Sequence, residues 1–155
     1  MAPLVYIAVI GGSEISAEMA ELARQVGRAV ARQGAVLLCG GLGGVMAAAA
    51  QGAQEAGGVS LGILPDGDRR RANPYLTYAI ATNLGHARNI LIAHSADAVI
   101  AVAGSYGTVS EAAIALKLGK PVIALRVAWD LPGLQRAATP EAAVAMAWKI
   151  MADRS

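Results

Sequence analysis

Short apolar runs alternate with longer segments of helical periodicity along the whole chain. Residues 4–10 are apolar throughout, which predicts a strand buried on both faces. Gly11-Gly12-Ser13 then turns the chain. Ser16 is placed to cap a helix running to about residue 33, with Met19, Leu22, Ala23, Val26 and Val30 along one face, and Gly34 ends it. Residues 35–39 predict a second strand, followed by Gly40-Gly41-Leu42-Gly43-Gly44. The helix expected over 45–56 is alanine-rich and apolar nearly all round, so it should pack on two sides, against the sheet and a partner subunit. A third strand over 59–64 leads into a polar loop, 65–75, that carries Arg69-Arg70-Arg71. A short strand (76–81), a helix (87–95) and another strand (98–103) follow. The turn Gly104-Ser105-Tyr106-Gly107-Thr108 then opens a helix expected to begin at Thr108 and end near residue 118. Gly119-Lys120-Pro121 is a sharp stop before a last strand over 122–125. Thr139-Pro140-Glu141 starts the final helix, with Thr as N-cap and Pro at the first position.

This alternation predicts an α/β, three-layer Rossmann-like fold: a doubly wound, mainly parallel sheet with helices on both faces, in a single domain over residues 1–155. No internal repeat or linker interrupts it. Ligands of such sheets bind beyond the carboxyl ends of the strands. Three glycine-rich turns fall on that edge: Gly11-Gly12-Ser13, Gly40-Gly41-Leu42-Gly43-Gly44 and Gly104-Ser105-Tyr106-Gly107-Thr108. Each precedes a helix, whose unsatisfied N–H groups and dipole favour an anion. Together they predict a phosphorylated ligand resting on backbone amides, with Met46 just after the second turn and Asn89 nearby as further contacts. None is a dinucleotide fingerprint, because Met46 stands where a third glycine or alanine would fall, and no Gly-Lys-Ser/Thr loop occurs.

Arg88 and Glu111 are the charged residues of most interest. The helix after Arg88 descends and the next strand climbs back by a similar distance, so both residues return to the carboxyl edge. The arginine can hold a phosphate or carboxylate, and the glutamate can serve as a general base or stabilise a developing cation. Thr108-Val109-Ser110-Glu111 also fits a capping box, in which Glu111 would reach back to the N-cap N–H. His86 and His94 lack metal-ligand spacing with acidic residues, so no metal site is expected. Ser13 and Ser105 have no His/Asp partners for a nucleophilic triad. Asn83 is a turn residue or ligand contact, Asp97 is structural, and Trp129 and Trp148 are packing or subunit-contact residues.

Composition narrows the partners. Of 155 residues, 55% are hydrophobic and only 15% charged, which excludes disorder and leaves apolar surface for a second subunit to cover. A homodimer or homotetramer is expected. The net charge of +2 argues against a nucleic-acid partner. The one cysteine, Cys39, ends an apolar run and is expected in the core. The first residues lack a basic start and a cleavage site, and no apolar run reaches the length of a membrane span, so a cytoplasmic protein with no membrane partner is expected.

Four segments in order, Gly40-Gly41-Leu42-Gly43-Gly44-Val45-Met46, Gly62-Ile63-Leu64-Pro65, Ala87-Arg88-Asn89 and Gly104-Ser105-Tyr106-Gly107-Thr108-Val109-Ser110-Glu111, resemble the LOG-like Rossmannoid superfamily. Its members long carried a lysine decarboxylase label. The likeness covers most of the chain. Ala87-Arg88-Asn89 and the loop with Ala72-Asn73-Pro74 are most similar to the molybdenum-cofactor carrier branch. The resemblance implies a phosphate pocket at the strand ends, a homo-oligomer, and molybdenum cofactor or a nucleoside monophosphate as bound ligand, with no cofactor required. The enzymatic branch, the cytokinin-activating phosphoribohydrolases, cleaves the N-glycosidic bond of nucleoside monophosphates with an Arg and a Glu that match Arg88 and Glu111. Its motif, Pro-Gly-Gly-x-Gly-Thr-x-x-Glu, has Ala103 and Ser105 here in place of Pro and the second Gly. Its His-Glu-Arg-Lys becomes His86-Ala87-Arg88-Asn89. No lysine is placed for a pyridoxal Schiff base, so decarboxylation has no support. Three functions stay open: a carrier of a phosphorylated nucleotide-like or pterin-type ligand, a nucleoside-monophosphate phosphoribohydrolase, and an oligomeric scaffold with a vestigial pocket.

Overall fold

The computed structural model describes residues 3–154. Strands β1 (Tyr6–Gly11), β2 (Val36–Cys39), β3 (Ser60–Leu64), β4 (Tyr78–Ala81), β5 (Ala98–Val102), β6 (Val122–Leu125) and β7 (Gln135–Arg136) form one sheet in the order β4-β3-β2-β1-β5-β6-β7. Every pairing is parallel. The helices are α1 (Ala17–Arg32), α2 (Val45–Glu55), α3 (Arg88–Ser95), α4 (Tyr106–Lys117) and α5 (Pro140–Asp153). The doubly wound α/β expectation therefore holds.

Strand alternation sorts the core into two layers. Ile7, Val9, Leu37, Cys39, Ile100 and Val102 point to one face and pack with α1, α2 and α5. Ala8, Ile10, Leu38, Ile63, Val99 and Ala101 point to the other, beneath α3 and α4. The central strands are buried on both faces, which is why they read as unbroken apolar runs. Asp97 is structural, as expected: its Oδ2 accepts from the Tyr6 N–H at 2.8 Å, and its own N–H donates to the Tyr6 carbonyl at 2.8 Å, fastening β5 to the start of β1.

Two caps are as expected. Ser16 Oγ accepts from Met19 N at 3.2 Å, and Thr139 Oγ1 accepts from Ala142 N at 3.1 Å with Pro140 next in the chain. The second side of α2 is covered by α1 of the same chain. Gly27 and Gly52 bring the two backbones close, and Arg24 and Arg28 close the seam through Glu55 at 2.8 and 2.7 Å. The short polar edge strand β7 has no counterpart in the sequence pattern. Gln135 and Arg136 are exposed and carry no periodic signal; they join the sheet by backbone pairing with Ile123 and Ala124. Among the described residues, no helix is long and apolar enough to cross a membrane.

The strand order reverses between β1 and β5, where Gly11 pairs with Val102. Chain leaving one strand runs away from chain leaving the other, and a crevice opens at their carboxyl ends.

Candidate functional site

A cavity of about 410 Å3 occupies that crevice, within the size range of small-molecule sites. Gly11, Gly12 and Ser13 wall it from the end of β1, Gly40 from the β2–α2 connection and Met46 from the first turn of α2. Arg88 and Asn89 enter from the start of α3, and Ser105, Gly107, Thr108 and Glu111 from α4. The expected edge thus converges on one space. Gly41, Gly43, Gly44, Gly104 and Tyr106 are not among its lining residues.

The glycines divide by what surrounds them. Gly44 has φ 65°, and a Cβ there would run into the carbonyl oxygens of Gly12 and Ser13; Val45 N donates to Gly12 O at 3.0 Å. The second glycine turn therefore locks onto the first, and one of its helix-start donors is used within the protein. Gly104 has φ 86°, and a Cβ there would collide with the Thr108 side chain. These two residues serve the backbone. Gly107 faces open space on the cavity side. The Tyr106, Gly107 and Thr108 N–H groups find no protein acceptor among the described residues, as befits a first helical turn.

Helix α4 begins at Tyr106, two residues before the expected start, and this corrects the capping-box expectation for Glu111. Ser105 is the N-cap and makes no side-chain cap bond. Thr108 lies inside the helix and is 5% exposed, so it cannot serve as the N-cap that a reaching glutamate requires. Glu111 instead lies on the second turn, facing Arg88.

Arg88 is 7% exposed although it opens a helix at the rim of the sheet. Its Nη1 donates to Asn89 Oδ1 at 2.7 Å and stands 3.6 Å from Glu111 Oε1. Its Nε is buried with no hydrogen-bond partner. Buried guanidinium donors are normally paired, so this one is an unsatisfied donor on a side chain that lines the cavity. Burial lowers the Arg88 pKa from its usual value, and the Glu111 carboxylate works against that. Burial lifts the Glu111 pKa to about 7, with Arg88 opposing. Such a carboxyl exchanges protons near neutral pH.

Gly40 explains how the guanidinium fits. A Cβ at this position would lie 2.6 and 2.7 Å from the two Nη atoms and 2.7 Å from Met46 Sδ. Those neighbours are the tips of flexible chains rather than backbone, so G40A should cost about 1–2 kcal/mol of stability, the lower part of the overpacking range. It should nevertheless push Arg88 out of place and weaken phosphate binding about tenfold. Thermal unfolding and calorimetric titration of the variant check both halves.

Several cavity residues were not singled out from the sequence: Val9, Ile10, Leu42, Pro65 and Gly85, together with His86, which was weighed only as a metal ligand. Pro65 directly follows β3 and was detectable as one more carboxyl-end position. Arg69, Arg70 and Arg71 lie outside the cavity, exposed on a short 3₁₀ turn beside the edge strand β4, where Arg70 pairs with Asp68 at 3.0 Å. Asn83 takes φ 53° in a turn outside the lining, and His94 is exposed on α3. Cys39 is fully buried and its thiol is pushed up to about 11 by burial, which suits a packing residue. No group of three or more His, Cys, Asp and Glu side chains able to hold a metal ion occurs among the described residues.

Ala103, at the end of β5, has φ 52°. Proline is fixed near −65°, so the proline that opens the phosphoribohydrolase motif cannot occupy this backbone. The turn differs from that motif in conformation as well as in composition.

Known proteins share this fold. The molybdenum cofactor binding protein from the phototrophic bacterium Rippkaea orientalis superposes with a TM-score of 0.90 at 35% identity, covering 97% of this chain and 99% of its own. The molybdenum cofactor carrier protein of Chlamydomonas reinhardtii superposes with a TM-score of 0.89 at 32% identity, with the same coverage. An uncharacterized protein of Archaeoglobus fulgidus is 48% identical over 141 residues, 91% of this chain and 93% of that one. The SLOG cluster4 family profile matches residues 4–150, a span that holds every cavity-lining residue. With its parallel sheet, its switch-point cavity and that match from the first strand into the last helix, the chain belongs to the SLOG cluster4 family.

Proposed function

We propose that the switch-point cavity binds a phosphorylated, pterin-type or nucleotide-like small molecule and that the protein is a carrier of the molybdenum-cofactor kind. The observation that carries this is the Arg88 guanidinium, nine-tenths buried with an unpartnered Nε, in a cavity walled by glycine turns. A buried cation with an open donor asks for an anion. The residues present fit the organic part of such a cofactor. Arg88 and the α4 N–H groups would hold its phosphate, and Met46, Leu42 and Pro65 offer apolar surface to a ring. The metal, when bound, would supply redox chemistry to an acceptor enzyme; here it would travel on its own ligands, since the cavity lining contains no cysteine and Cys39 is buried.

A homodimer or homotetramer belongs to the same proposal. Tyr78 and Ile80 on the edge strand β4 are 65% and 49% exposed. They register with Leu61 and Ile63, on the α3 side of the sheet, where Ile90 and Leu91 are exposed too. A second copy would cover this apolar surface.

The test is calorimetric titration with a molybdopterin-type ligand and with nucleoside monophosphates. Saturable binding that inorganic phosphate competes away is the expected result. Failure to bind any phosphorylated ligand overturns the proposal. One observation favours a second reading, a nucleoside-monophosphate phosphoribohydrolase: the Glu111 carboxyl, held near 7 beside Arg88, suits general acid–base work. That reading requires release of free base from AMP, lost in E111Q.

A further inference from the structure

We infer that this pocket takes up its anion together with a proton: the ligand's negative charge takes over the Arg88 guanidinium, and Glu111 is protonated in the same step. The inference rests on the anion-pocket reading above and adds how that site is controlled.

The charges around the pair are few. Arg88 and Glu111 side chains are 9% and 13% exposed and lie 3.6 Å apart. From α3 comes Asn89, which is neutral and already accepts from Arg88 Nη1. From β2 comes Cys39, whose buried thiol is neutral at ordinary pH. From the loop after β3, Asp66 acts on Arg88 as a further negative charge. His86 stands at the cavity wall ahead of α3. The β1 turn and α2 contribute Ser13, glycines and Met46, and α4 contributes Thr108, none of them charged. One cation thus serves one buried carboxylate, and no hydrogen bond to that carboxylate is found among the described residues.

An arriving phosphate or sulfate competes for the same guanidinium. If Glu111 stayed ionised, its largely buried carboxylate would stand as an uncompensated negative charge beside the ligand, a costly arrangement for a group mostly out of water. Protonation removes it. One proton moves from the buffer to a Glu111 carboxylate oxygen, and the resulting O–H is a donor on a cavity-lining side chain, where the carboxylate could only accept. Burial already holds the free carboxyl near 7, and the Arg88 charge is the influence that holds it down. An anion that draws on Arg88 weakens that influence, so the proton binds more tightly once the ligand is in place. The sign follows. Below about 7 the free site is already protonated and open to anions; above it, the Arg88–Glu111 pair must be broken and a proton recruited. Affinity therefore falls as pH rises, and a carrier built this way releases its cargo when Glu111 gives up its proton.

Sulfate is the probe, because it has no titratable proton near neutrality. Calorimetric titrations of the whole chain in buffers of differing ionisation enthalpy count protons taken up per sulfate. The expected result is uptake approaching one proton at pH 8, with sulfate bound roughly tenfold more tightly at pH 6 than at pH 8. E111Q should remove the uptake, flatten the pH profile and bind at pH 8 about as well as the parent chain does at pH 6. H86Q should keep the uptake. Sulfate binding without proton uptake, uptake that persists in E111Q, or uptake that vanishes in H86Q overturns the inference while leaving the anion pocket intact. Absence of binding by sulfate and by every phosphorylated ligand at either pH overturns both.

Discussion

Arg88→Met should weaken phosphate or sulfate binding by about a hundredfold while leaving a folded protein. Methionine keeps much of the arginine stem's length and apolar character, and it leaves empty only the space over Gly40 that the two Nη atoms fill. What disappears is a buried charged donor, whose loss from a binding site costs about 2–5 kcal/mol. The same change leaves Glu111 buried without its cation. An uncompensated buried charge is destabilising, but this carboxyl has an escape, since burial already raises it to about 7 and loss of Arg88 raises it further. A carboxyl raised in the folded state makes that state bind more protons than the unfolded chain. Its protonation stabilises at low pH, and that stability drains away as pH rises from the unfolded carboxyl value through the folded one. R88M should therefore be close to the parent protein in stability at pH 6 and clearly less stable at pH 8. Urea unfolding at the two pH values reads this, and calorimetry reads the lost affinity. Unchanged anion affinity would remove Arg88 from the site.

The other large effect lies far from the cavity. G27A and G52A should each lower stability by about 3 kcal/mol or more, at the upper end of overpacking costs. For a chain of this size that is a fall of roughly 10 °C in melting temperature. A Cβ on Gly27 would sit deep inside van der Waals contact of the Ala49 carbonyl oxygen, and one on Gly52 would do the same to the Arg24 carbonyl oxygen. Both obstacles are backbone, so no rotamer change relieves them. Helix propensity works the other way, because alanine in a helix interior gains about 1 kcal/mol over glycine. The clash wins by magnitude. Since both substitutions wedge apart the same α1–α2 seam, the double variant should lose less than the sum of the two. A thermal melt of the three variants decides the matter, and neutral single variants would mean that α1 can slide on α2 at little cost.

Apolar runs and caps are local signals, so β1, β5, the Ser16 cap and the Thr139-Pro140 start could be read directly. The glycine turns could be placed on one edge because parallel strands send every following turn to the same side. Edge strand β7 escaped because two exposed polar residues join a sheet through backbone alone. The sequence suggests a later start for α4 because Thr108 resembles a cap, while its side chain is buried against Gly104. His86 lines the cavity because the Gly85 N–H donates to Pro65 O at 3.1 Å and fastens the turn ahead of α3 to the end of β3, a contact between segments distant in sequence.

The chain by itself determined the alternation of strands and helices, the doubly wound sheet and the return of Arg88 and Glu111 to one edge. These follow from side-chain periodicity and the fixed rise of each element. Tertiary structure alone decided what that pair is. Folding buries both side chains within 3.6 Å of each other, leaves an arginine donor open and lifts the carboxyl to about 7. Charge and proton affinity inside a protein depend on how much water the surrounding segments exclude, and no stretch of sequence carries that quantity before the segments meet.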